Sequence, residues 1–203
     1  MLPKELRKYS VFGLLSLAIN LMYSKIVLPR ALLVRRPAHI RILGSISIGN
    51  GFTSGPGLIL DILNEGAELI IGNNVKLNHR CHIGVMKSVK IGNDVLFASN
   101  VFISDHTHGT YSGKIQSSPF EAPNDREIIC GNVEIGDRAW IGENVAILLG
   151  VSIGESSVIG ANSVVTNNIP AFSIAVGSPA RVIKTWNTLS EQWAAVNQMD
   201  KAP

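Results

Sequence analysis

The sequence has little that would staple it covalently, carry it across a membrane or fill its core with rings. Two cysteines, Cys81 and Cys130, are too few for a disulfide framework and are compatible with a reducing, cytoplasmic setting. Aromatic residues make up 6% of the 203, while 46% are hydrophobic and 19 are glycine, so Ile, Val and Leu must do the packing in a tightly wound backbone. The apolar run from Val11 to Met22 has 12 residues, short of the roughly 20 needed to span a bilayer. No small-residue cleavage site follows it, and Pro29-Arg30 with Arg35-Arg36 argue against an export signal. Acidic residues are scarce at the N-terminus. Up to Arg41 there are eight basic residues against Glu5 alone, a local charge of +7. Subtracting this from the net +3 leaves −4 for the remainder, which excludes a general nucleic-acid binder with a basic working surface.

What the chain does have is a period of six. Ile135, Ile141, Ile147, Ile153, Ile159 and Val165 recur at every sixth position, and glycine follows four of them, at Gly136, Gly142, Gly154 and Gly160. A helix returns apolar residues after three or four positions and a half-buried strand after two. Six predicts a three-sided prism of short parallel strands, one hexad per face and roughly 18 residues per coil. The same register runs through Ile71, Leu77 and Ile83, slips by two residues, and resumes at Ile91, Phe97 and Ile103. The fold class is therefore all-β, a parallel β-helix of about six coils, each about 4.8 Å high. Its expected parts are an apolar and basic helical segment over 1–38, the β-helix over 39–184 and a helical tail over 185–203. The tail is expected as a helix over Leu189–Met199, opened by Thr188 or Ser190. The N-terminal segment is expected either to pack on the end of the prism or to rest on an anionic membrane.

The register breaks once more, and at length. Between Ile103 and Ile135 lie 32 residues where six would suffice, so an external loop over 104–132 leaves one corner. Loops of that size inside compact domains are usually functional. This one opens with SDHTHGTYSG and holds His106 and His108, the leading candidates for a general base, with Asp105 beside them to orient an imidazole.

The run from Ile135 to Lys184, with FISDHTHGTYSG at Phe102–Gly113, resembles the hexapeptide-repeat acyltransferases, and most closely the sugar O-acetyltransferases of bacterial surface polysaccharides. The resemblance covers about residues 70–185. It implies a left-handed coil, a homotrimer with sites between subunits, and transfer of acetyl from acetyl-CoA to a sugar hydroxyl without an acyl-enzyme or a metal. It makes His106 the base, with His108 in reserve. A backbone amide just after Trp140-Ile141-Gly142, at Gly142 or Glu143, becomes the oxyanion donor, and Trp140 a wall of the pantetheine or acceptor channel. Asn78 becomes an acceptor contact, with His79, Arg80 and His82 weaker candidates and His108 a further substrate contact. Ala161 and Thr166 are assigned to the pantetheine, and Arg181 and Lys184 to the phosphates. Asn167 stands where relatives often have lysine. The basic N-terminus suits a lipid-linked glycan at the cytoplasmic face of a membrane. Two other readings compete: a γ-class carbonic-anhydrase-like metalloenzyme using His79, His82, His106 and His108, and a non-catalytic scaffold.

Overall fold

The computed structural model describes residues 10–196, in which three parallel sheets wind into a triangular prism. Face A stacks Leu33–Val34, Thr53–Ser54, Lys76–Leu77, Leu96–Phe97, Trp140–Ile141, Val158–Ile159 and Ser173–Gly177. Face B stacks Ala38–Ile42, Leu58–Ile62, His82–Val85, Phe102–Ser104, Ala146–Ile147 and Val164–Val165. Face C stacks Ser45–Ile48, Glu68–Ile71, Ser88–Ile91, Val133–Ile135 and Ser152–Ile153, with Ile169 bridging onto Ile153. The chain completes six coils and begins a seventh on face A.

The period of six has a direct physical cause here. Each face sends one column of side chains inward, and the register aligns Ile48, Ile71, Ile91, Ile135, Ile153 and Ile169 on face C. All six are buried, as are Leu60, Ile83, Ile103, Ile147 and Val165 on face B. The glycine after an inward aliphatic lies where one corner passes over the next. A Cβ on Gly72 would stand 2.6 Å from the carbonyl oxygen of Gly92 in the coil above. The first prism strand, Leu33–Val34, lies ahead of the boundary expected at residue 39.

A helix, α1 (Val11–Val27), precedes the prism, with Ser10 as its N-cap. It packs on the first coil, and its orientation is inverted. Its two buried residues are the polar Asn20 and Ser24, while Val11, Phe12, Leu15, Met22 and Ile26 are exposed. Ser24 Oγ accepts a hydrogen bond from the Val34 amide at 2.7 Å, and Asn20 Oδ1 accepts from the Arg36 amide at 3.2 Å. Tyr23, Val27 and Leu28 supply the apolar part of the contact.

The expected C-terminal helix over Leu189–Met199 is not what the described residues form. Ala180–Asn187 folds back antiparallel on Ser173–Gly177, and Gln192–Ala195 pairs with it in turn. Asn187 Oδ1 accepts from the amides of Leu189 and Ser190, so it closes a hairpin turn rather than opening a helix. Trp186 and Trp193 then meet edge to face across the hairpin, with centroids 5.4 Å apart. The rest of the expected helix, from residue 197 on, lies outside the described residues.

Candidate active site

The external loop leaves face B through a bend at Asp105, and this bend defeats the usual alternation of neighbouring side chains. Asp105 is fully buried and His106 largely so, yet the two are in contact: His106 Nδ1 lies 3.0 Å from Asp105 Oδ1. Three backbone amides hold the same carboxylate, those of Met86 at 2.8 Å, Lys87 at 2.7 Å and Ser88 at 2.8 Å. These amides belong to the corner made by the two-residue slip between Ile83 and Ile91, so the slip builds an anion nest. A carboxylate that already accepts from three amides is matched by an N–H at His106 Nδ1, the tautomer that leaves the lone pair on Nε2. Sequence reasoning located both residues and missed the nest, whose one trace was the slipped register.

The loop is more ordered than an outward excursion suggests. His106–His108 pairs antiparallel with Ile128–Cys130, and Pro123–Asp125 forms a short 3-10 turn. His108 is exposed and tied to the far side of the loop, its Nδ1 3.1 Å from the Pro123 carbonyl oxygen. Arg126 donates to the Tyr111 hydroxyl at 2.8 Å and to the Glu121 carbonyl. Phe102, Ser104, His106, Thr107, His108, Tyr111, Leu148 and Leu149 line a cleft of about 420 Å³ along the edge between faces B and C.

The other candidates fall into two groups. Thr166 and Asn167 lie two coils further along the same B–C edge, and Asn167 shares a second cleft of about 420 Å³ with Arg181 and Val196. Lys184 does not line that cleft. Asn78, His79, Gly142, Glu143 and Ala161 occupy the edge between faces A and B, on the far side of face B from His106, and Trp140 stands half-exposed on face A. The Gly142 amide is spent on the Ile159 carbonyl at 2.8 Å, whereas the Glu143 amide meets no acceptor among the described residues. Arg80 is structural: it donates to Asn100 at 2.7 Å, and Asn100 donates to the Glu143 carboxylate at 3.3 Å.

Within one chain the four histidines of the metalloenzyme reading do not gather into a ligand set. His79 sits on the A–B edge, His82 on face B, and His106 and His108 on the loop. Among the described residues no group of three His, Cys, Asp or Glu side chains is placed to hold a metal ion. Neither free cysteine is an activated thiol. Burial pushes Cys81 up to about 11, and burial followed by the Asp105 charge raises Cys130. One carboxylate was not anticipated: Asp61, buried on the outward side of face B beside Arg41 and His82. Its signal was a lone acid inside the apolar stretch LILDIL.

Residues 132–167 match the family described as bacterial transferase hexapeptide (six repeats), which carries the left-handed winding of this β-helix. The chain is 39% identical over 194 residues to WbbJ of Escherichia coli K12, 95% of this chain and 98% of that one, whose name proposes an O-acetyl transferase of lipopolysaccharide biosynthesis. It is 38% identical to the galactoside O-acetyltransferase of the same strain over 60% of this chain and 56% of that enzyme. Among solved structures, a point mutant of AntD, an N-acyltransferase from Bacillus cereus, in complex with dTDP-4-amino-4,6-dideoxyglucose and coenzyme A, superposes with a TM-score of 0.67. That alignment covers 83% of this chain and 90% of AntD at 23% identity, a likeness of fold.

Proposed function

Since the chain belongs to the hexapeptide-repeat acyltransferase family, we propose that it transfers an acetyl group from acetyl-CoA to a hydroxyl of a bacterial surface glycan or its precursor, with His106 as general base. The observation that carries this is the Asp105–His106 pair, which leaves His106 Nε2 as the basic atom beside the cleft. His106 Nε2 takes the proton of the acceptor hydroxyl as its oxygen attacks the thioester carbonyl. Negative charge gathers on the carbonyl oxygen, and the Glu143 amide is the better donor for it because that of Gly142 is already engaged. Collapse expels the coenzyme thiolate, which recovers the proton from the His106 imidazolium. No cysteine is acylated, in keeping with the raised thiols.

Base and oxyanion donor lie on different edges of one chain, separated by the width of face B. We therefore assign the working site to the junction of neighbouring copies in a homotrimer, with the B–C edge of one copy facing the A–B edge of the next. Thr166, Asn167 and Ala161 are assigned to the pantetheine arm, Arg181 with Lys184 to the phosphates, and Trp140, Asn78 and His79 to channel and acceptor contacts. A second reading concerns place. The outward apolar face of α1, in an N-terminal stretch rich in basic residues, suits an anionic bilayer at the cytoplasmic face of a membrane. Among the described residues no helix is long and apolar enough to cross one.

Mass spectrometry of surface glycan from cells with and without this protein tests the function. The expected result is an acetyl mass increment present only with the protein. Identical glycans, with purified protein that fails to bind acetyl-CoA in calorimetry, would refute it.

A further inference from the structure

Face B carries a second carboxylate–imidazole pair close to the first. In the strand ladder Asp61 stands outward between Arg41 and Gly84, and Gly84 is followed by Ser104. Outward positions on a solenoid face are ordinarily solvated, yet the Asp61 side chain is only 13% exposed. Burying a carboxylate is costly unless it is paired. Its Oδ1 is paired, accepting from Arg41 Nε at 3.1 Å with His39 Nε2 at 3.7 Å. Its Oδ2 faces His82 Nε2 at 3.3 Å, longer than the roughly 2.8 Å of a charge-assisted hydrogen bond. The two atoms approach each other without saturating each other. His82 is steadied by an edge-to-face contact with Phe102, centroids 5.3 Å apart, and Phe102 lines the cleft of His106.

Gly84 joins the two pairs. A Cβ built on it would lie 3.4 Å from His106 Cε1 and 3.9 Å from His82 Nε2, so both imidazoles border one notch that glycine leaves open. A hydroxyl group in the notch matches what Asp61 and His82 offer: its hydrogen is donated to Asp61 Oδ2 and its oxygen accepts from His82 Nε2.

We propose that Asp61 and His82 bind a non-reacting hydroxyl of the acceptor, holding the sugar ring over Gly84 so that a neighbouring hydroxyl reaches His106. The acceptor class is a carbohydrate carrying two hydroxyls on the same or adjoining stretch of ring, one anchored and one acetylated. This rests on His106 being the base of an acetyl transfer. Asp61 and His82 act as specificity-determining contacts, and Arg41 is a positioning residue for Asp61.

The test uses full-length wild type, Asp61→Asn, His82→Ala and Gly84→Ala, each in cells lacking the native copy and at matched protein levels, with acetyl content read on newly made surface glycan. Each purified protein is also measured for melting temperature and for affinity toward acetyl-CoA alone. Gly84→Ala meets only ordinary van der Waals contacts, so its fold is expected to survive. The expected result is a drop in glycan acetylation of about tenfold or more in all three variants, with acetyl-CoA affinity unchanged in His82→Ala and Gly84→Ala. Undiminished acetylation in either of those two overturns the proposal. So does a loss of acetylation that only tracks a fallen melting temperature and weakened acetyl-CoA binding, since the pair would then be structural. Absence of acetyl from the wild-type glycan is a different outcome: it removes the transferase reading itself and this inference with it.

Discussion

At the scale of the residue, the site rests on a carboxylate that cannot be replaced quietly. Asp105 accepts from three backbone amides and faces the His106 ring, so replacing its carboxylate disturbs both the corner and the tautomer of the proposed base. Asp105→Asn is expected to lower kcat by about 10²-fold or more through the misplaced imidazole proton, and to cost roughly 1–3 kcal/mol of stability through poorly satisfied amides. Chemical denaturation and acetyl-transfer kinetics on the same sample separate the two effects. His106→Ala should cost about 10²- to 10⁴-fold in rate with little loss of stability, because the nest keeps its three amide donors.

At the scale of the element, the coil is limited by how closely corners stack. Gly72→Ala forces a Cβ to within 2.6 Å of the Gly92 carbonyl, and strain of that kind typically costs about 1–3 kcal/mol. A clear fall in melting temperature is expected for Gly72→Ala, against almost none for Gly84→Ala. The corners are also laced by side chains. Asp137 accepts from the amide and the side-chain nitrogen of Asn93, and these bonds, the amide first, hold its carboxyl below the usual carboxylate range. A depressed folded-state pKa adds stability that is complete above the unfolded value of about 3.9 and is lost as pH falls through the lower folded one. Asp137→Asn should therefore flatten the acid limb of melting temperature against pH below about 4, and an unchanged limb would contradict the assignment. The coil itself was legible because one inward aliphatic per face is a strict demand that leaves a period of six. The C-terminal hairpin was not, because the turn at Asn187 and the Trp186–Trp193 contact join residues whose local pattern also suits a helix. Asp61 stayed hidden because its partners, Arg41 and His82, come from other coils and meet it only through the register of face B.

At the scale of the whole molecule, charge and apolar surface gather at one end. The helix α1 turns Asn20 and Ser24 toward the prism and Phe12 and Ile26, 84% and 80% exposed, away from it. Sequence alone left packing on the prism and contact with a membrane as alternatives; the helix packs on the prism through its polar side, and its outward apolar face is the surface on which the proposed membrane contact is tested. Phe12→Glu with Ile26→Glu should leave the melting temperature unchanged and abolish cosedimentation with vesicles containing phosphatidylserine. Full cosedimentation of the double variant would rule out a bilayer on this face. The proposed base and oxyanion donor lie on separate edges, so the proposal calls for assembly: analytical ultracentrifugation should find a trimer, and an active monomer would contradict a site shared between copies.

The most direct measurement compares acetyl content in surface glycan from cells carrying wild type, His106→Ala or His108→Ala, at matched protein levels and with acetyl-CoA binding verified for each. The expected result is full acetylation with wild type and with His108→Ala, and none with His106→Ala. Acetylation that survives His106→Ala and disappears with His108→Ala would contradict the role given to the Asp105–His106 pair.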